Sequence, residues 1–163
     1  MYQGGLIMND VYAILHTKKV ADKVKKKGSL NYISWANCWA MVLESFPGSS
    51  FEKHLFEIDG RQQPYMLDAN GYAFVMVSVT IKQQKNTEIL PVLDHRNKAV
   101  QNPGSDQVNK SLQRCLVKAC AMHGLGLSIY QGEDLPDDQS AAEQLTAAIK
   151  GEAKPADDVD EFF

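Results

Sequence analysis

The sequence predicts an α+β domain in which an antiparallel β-meander packs against a basic helix, with helices before it and a disordered acidic tail after it. Three observations carry that reading. Tyr72–Gln83 alternates, with Ala73, Val75, Val77, Val79 and Ile81 on one face and Tyr72, Phe74, Met76, Ser78 and Thr80 on the other. From Asp106 to about His123 the apolar residues recur at helical spacing, with cations at every fourth position. Beyond Gly132 the chain becomes acidic and poor in core material.

Val11–Val24 reads as a first helix, with Val11, Ile14 and Leu15 on one side. It runs into Lys25, Lys26 and Lys27 and stops at Gly28. Ser34 caps a second helix, SWANCWAMVLESF, which Pro47 and Gly48 terminate. Phe51–Asp59 alternates loosely and turns at Gly60, Pro64–Leu67 is a short extended piece, and Asp68–Gly71 is a turn. After the long strand, Lys85 and Asn86 make a turn into Thr87–Leu93, and a polar loop, Asp94–Gly104, leads to the basic helix. Two domains follow from this pass: residues 1–136 as the folded body and 137–163 as the tail. Met8 is an alternative start, which would make the first seven residues irrelevant to the fold.

The basic helix holds the strongest functional signal. Lys110, Arg114 and Lys118 recur every four residues, and each step drifts by only about 40° around the axis, so the three share one face. Leu112, Cys115, Leu116, Ala119 and Cys120 fall on the opposite face and suit packing on a sheet. Ser105 or Asp106 is the expected N-cap and Gly124 the left-handed C-cap. A solvated amphipathic helix would show the same pattern, so the stripe alone leaves both readings open.

Net charge is −3, a value that by itself argues against a polyanionic partner. The distribution argues otherwise. Residues 1–130 hold 15 Lys/Arg against 10 Asp/Glu, whereas residues 131–163 hold 2 against 10. A basic body (+5) is joined to an acidic tail (−8). No apolar run approaches a membrane span and no secretory segment is visible. Three cysteines in apolar helical patterns point to reduced core residues of a cytoplasmic protein.

Catalytic and cofactor motifs are missing, so no enzyme, metal or cofactor is expected. There is no phosphate loop, and Gly124-Leu125-Gly126 lacks the third glycine of a dinucleotide fingerprint. Cys115, Cys120 and His123 lack a fourth zinc ligand and any C-x-x-C. Glu88, Asp94 and Lys98 lack the strand-borne spacing of a metal nuclease, and no nucleophile elbow is present.

Nucleic-acid binding fits better, because cations contact phosphates while aromatics stack on unpaired bases. The candidate cations are Lys110, Arg114 and Lys118, Arg96 and Lys98 in the loop, Lys82 and Lys85 at the strand end, and Lys25, Lys26 and Lys27. Tyr32, Trp35, Trp39, Tyr65 and Tyr72 are the stacking candidates. Trp35 and Trp39, four apart on one helix face, make a core pattern, while Tyr65 and Tyr72 flank a turn and are the better choice for exposure. At the other end of the chain, Phe162 and Phe163 close an acidic string, Asp157, Asp158, Asp160 and Glu161. Such a tip suits docking, with the rings in an apolar pocket and the carboxylates on basic residues around it.

Leu30–Ala40 (LNYISWANCWA), the Pro64-Tyr65 to Gly71 stretch with its strand, Pro91–Val100 (PVLDHRNKAV) and Asn109–Pro136 (NKSLQRCLVKACAMHGLGLSIYQGEDLP) together resemble phage-encoded single-strand annealing proteins. The resemblance is to a Sak-like branch grouped with the Rad fifty-two superfamily. It covers about residues 30–136, and the last block, with the basic stripe before Gly124 and Gly126, is the most specific part. The terminal DDVDEFF is similar to the acidic tip of bacterial single-strand binding proteins, although those usually end in Pro-Phe.

What the resemblance implies is an ATP-independent annealing protein with a β-β-β-α core, acting in homologous recombination and repair of phage DNA. It also implies single-stranded DNA as partner and a homo-oligomer, ring or filament. The C-terminal tip, read from its own residues, would reach a host or phage replication or recombination protein. Two other classes stay open: a passive single-stranded DNA-binding protein, and a phage interaction module aimed at a host replication factor.

Overall fold

The computed structural model describes residues 10–27 and 30–130. Their order is α1 (Asp10–Leu15), β1 (Val24–Lys27), β2 (Leu30–Ile33), α2 (Trp35–Ser45), β3 (Ser50–Lys53), β4 (Phe56–Ile58), β5 (Arg61–Gln63), β6 (Met66–Leu67), β7 (Ala73–Ile81), β8 (Gln84–Pro91) and α3 (Ser105–Met122). The acidic tail, with Asp157, Asp158, Asp160, Glu161, Phe162 and Phe163, lies outside the described residues.

β7 is the centre of an antiparallel sheet, flanked on one side by β8 and on the other by β3 and β6. Ala73, Val75, Val77, Val79 and Ile81 are all buried, on the face that strict alternation assigns to the core. α3 packs on β7 and β8, and α2 lies beside α3, its Trp39 ring meeting Phe51 of β3 edge-on at 4.9 Å. The result is two layers, helices on one face of the sheet, with the α+β class as expected. Leu112, Cys115, Leu116, Ala119 and Cys120 are buried, as helical phase requires.

The other face of the sheet carries Phe74, Met76, Ser78 and Thr80 of β7. Phe74 meets the Phe56 ring of β4 edge-on at 6.0 Å, and Ser78 is buried with its hydroxyl bonded to Thr87 Oγ1 and His54 Nε2, each at 2.7 Å.

Several boundaries differ from expectation. The first helix spans only Asp10–Leu15, and Val24 belongs to a strand instead of a helix end. His16 Nδ1–H donates to the Tyr12 carbonyl at 2.7 Å and the Thr17 hydroxyl to that of Ile14 at 2.8 Å. These side chains occupy carbonyls near the helix end and favour stopping there. Val24, Lys25, Lys26 and Lys27 then pair with Ile33, Tyr32, Asn31 and Leu30. The turn expected at Lys85 and Asn86 falls instead at Lys82 and Gln83, with Lys82 at φ 54° and Ile81 opposite Gln84. That register sets Leu90 opposite Val75, both buried under the helices, and core burial outweighs the turn preference of Asn.

The N-cap of α3 is Gly104, not Ser105 or Asp106; the Gly104 N–H donates to Gln107 Oε1 at 3.0 Å. Starting one residue earlier leaves Asp106 in the first turn, where the helix dipole favours a carboxylate. At the other end Gly124 takes φ +112°, and a Cβ there would lie 2.8 Å from the Tyr12 ring. Both conditions select glycine, and they seat α1 against the end of α3.

Candidate nucleic-acid interface

On α3 the expected stripe is present. Lys110 and Arg114 are exposed and Lys118 is half-buried; Val117 and Ala121, on the same arc of the helix, are buried, so the stripe is open at Lys110 and Arg114 and closes toward Lys118. Lys110 approaches Asp106 at 3.5 Å, with both side chains at least 70% exposed. A pair so exposed is worth well under about 1 kcal/mol, so a phosphate can replace the carboxylate at little cost.

The loop before α3 is a built element. Asp94 Oδ1 accepts from the N–H of Arg96 at 2.7 Å and of Lys98 at 3.0 Å, and the Asp94 N–H returns to the Lys98 carbonyl at 2.9 Å. The Lys98 amide foremost holds the Asp94 carboxyl below its usual range, against a partly opposing desolvation. His95, Arg96 and Lys98 are exposed on this tip. Asp94 was not among the candidate contacts; an Asp two residues before a basic position in a polar loop is the Asx-turn signal that marks it.

Tyr72 belongs to the same end of the sheet. Asp68 Oδ1 accepts its N–H at 2.9 Å, it bridges to Gln101, and Gln101 Nε2 donates to the Asn70 carbonyl at 2.7 Å. Its side chain is 39% exposed, whereas Tyr65 is half-buried. Tyr72, Arg96 and Lys98 therefore gather around the segment from which α3 departs.

A model of the Sak single strand annealing protein family matches residues 10–157 of the chain. The chain belongs to that family. No curated protein and no solved structure matches it. The Sak match extends on both sides of the four blocks named above and takes in α1, the paired strands β1–β2 and β4–β5, and most of the acidic tail. Membership makes it a single-strand annealing protein of phage-type recombination.

Within this Sak protein the remaining cations are carried by elements other than α3. Lys82 sits at the far end of β7, paired with Asp10 and 5.5 Å from the centre of the Phe46 ring. Lys85 lies opposite Thr80, on the face of the sheet away from α3, 3.4 Å from Glu52. Lys25, Lys26 and Lys27 are on β1, where Lys25 and Lys26 are exposed. Trp35 departs from the core expectation. It is 42% exposed, while Trp39 one turn later packs on Phe51.

Among the described residues no group of three or more His, Cys, Asp or Glu side chains is arranged to hold a metal ion. Cys115 donates to the Glu88 carbonyl at 3.2 Å, and burial pushes its thiol up to about 12. Cys120 meets Cys38 of α2, and that hydrogen bond together with burial raises its pKa. Neither is a thiolate at neutral pH. No described helix is long and apolar enough to cross a membrane.

His123 is a structural group with a pH signature. Its Nε2–H donates to the Val79 carbonyl at 2.9 Å, and its Nδ1 is buried without a partner among the described residues. Desolvation lowers its pKa, outweighing the Val79 carbonyl. The unfolded chain then binds the extra proton first. Stability is complete above the ordinary histidine value of about 6.5 and declines as pH falls from there toward the folded value. Thermal melts should show a falling Tm from about pH 7 to about pH 5, with a shallower decline in His123→Gln.

Proposed function

We propose that this chain binds single-stranded DNA along the α3 stripe and anneals complementary strands without ATP or any cofactor. The observation that carries the reading is Lys110, Arg114 and Lys118 aligned on a helix whose other side is buried in the body. Arg96 and Lys98 extend the contact at one end, with Tyr72 and Tyr65 as stacking rings; Lys82, Lys85, Lys25, Lys26 and Lys27 are outlying contacts. The site performs no bond chemistry, so the protein acts as a binding scaffold and not an enzyme.

Cations along the helix offset the repulsion between two phosphate backbones, and holding one strand extended removes its hairpins. Pairing then proceeds on stacking, about 1.4 kcal/mol per step, so no fuel is needed. A few phosphate contacts per subunit are weak and salt-sensitive; a homo-oligomeric ring or filament multiplies them. In this reading residues 1–136 carry annealing in the cytoplasm, and residues 137–163 dock a host or phage replication or recombination protein through Asp157, Asp158, Asp160, Glu161, Phe162 and Phe163.

The test is annealing of complementary oligonucleotides, one strand labelled, without nucleotide. Pairing well above the spontaneous rate is expected. Binding without acceleration would leave a passive single-stranded DNA-binding protein, and absence of binding at low salt an interaction module. Deleting residues 157–163 should leave folding and DNA affinity intact and remove a host replication or repair protein from pull-downs; an unchanged set of captured proteins refutes the docking role.

A further inference from the structure

We propose that the β1–β2 hairpin and the first turn of α2 form a base-stacking surface, on which Tyr32 and Trp35 take unpaired bases and Lys25 the adjoining phosphate. This rests on the single-stranded DNA reading above and assigns it a base contact outside α3.

Register comes first. Directly opposed residues in an antiparallel pair share a face, so Lys25 lies beside Tyr32 and Val24 beside Ile33. Ile33 is buried and Val24 half-buried, so their face is turned to the body and the Lys25–Tyr32 face is turned outward. Tyr32 is 41% exposed. Ser34 follows as N-cap, its hydroxyl accepting the Asn37 N–H at 3.2 Å, which fixes Trp35 as the first helical residue. Trp35 is therefore held in place while 42% exposed, at most roughly 10 Å of chain from Tyr32.

Charge selects the occupant. Residues 18–27 contain Lys18, Lys19, Lys23, Lys25, Lys26 and Lys27 against Asp22 alone, and among the described residues no ion pair holds Lys25 or Lys26. Two exposed rings beside a lysine-rich strand suit a polyanion with flat faces. The pair also forms a separate two-stranded ribbon, and such a ribbon gains little stability alone.

The chain has two tryptophans, so emission reports each in turn. In full-length Trp39→Phe, oligo(dT) should quench the Trp35 emission, whereas Trp35→Phe should show little change while still binding in fluorescence anisotropy. Tyr32→Ala and Trp35→Ala should each weaken binding on the order of tenfold, and Tyr32→Phe should retain it. Circular dichroism checks that each variant folds. Unquenched Trp35 in a protein that binds normally overturns the stacking surface and leaves the α3 reading intact. Quenching that grows with protein concentration in the absence of DNA assigns the surface to contacts between copies and overturns it too. If the wild type binds no oligonucleotide at low salt, both readings fall.

Discussion

Replacing Lys110, Arg114 and Lys118 together by glutamine should weaken oligo(dT) binding on the order of 100-fold at about 0.1 M salt. Each cation facing a phosphate contributes about 1 kcal/mol once solvent screening is allowed for, and three give roughly two decades. The salt dependence is the sharper readout. Each contact to a single strand adds about 0.7 to the slope of log K against log salt, so the variant should be shallower by about 2. Glutamine keeps the Cβ and Cγ methylenes of the half-buried Lys118 and a polar end, so the variant should still fold, which circular dichroism checks. An unchanged slope removes the stripe from the DNA site.

The second large effect is on stability. Leu116 of α3 is 2% exposed. Leu116→Ala removes three carbons from a packed site and should cost about 2–5 kcal/mol, part transfer and part cavity. At about 3 °C per kcal/mol for a domain of this size, the melting temperature should drop by about 6 °C or more. Annealing measured well below that temperature should be nearly normal, since no proposed contact is changed. A loss of DNA affinity in folded Leu116→Ala protein would mean that the stripe depends on the exact seating of α3.

Much of this site was legible in the linear chain. A four-residue cation repeat on a helix is local information, and nothing in the tertiary structure could move Lys110, Arg114 and Lys118 to different faces. The alternation of β7 is equally local, and so is the Asp94 turn that shapes the loop carrying Arg96 and Lys98. The Lys25–Lys27 run was not legible in this way. Lysine is solvated at little cost in helix and strand alike, so three in succession say nothing about which forms. Val24 and Ile33 decided it by pairing across the hairpin, with Ile33 buried. Trp35 and Trp39 show the same limit. Their spacing places them on adjacent turns, but Phe51, distant in sequence, covers only one of them.

The order of residues alone thus determined the helical and extended periods, the split between basic body and acidic tail, and a cationic stripe backed by apolar residues. Those depend on interactions within a few positions, where backbone geometry leaves few choices. Tertiary structure alone decided where β7 turns into β8, which rings stay in water, and that Lys25–Lys27 lie on a strand. Such features depend on which distant segments meet, and that is set by how the whole chain buries its apolar surface.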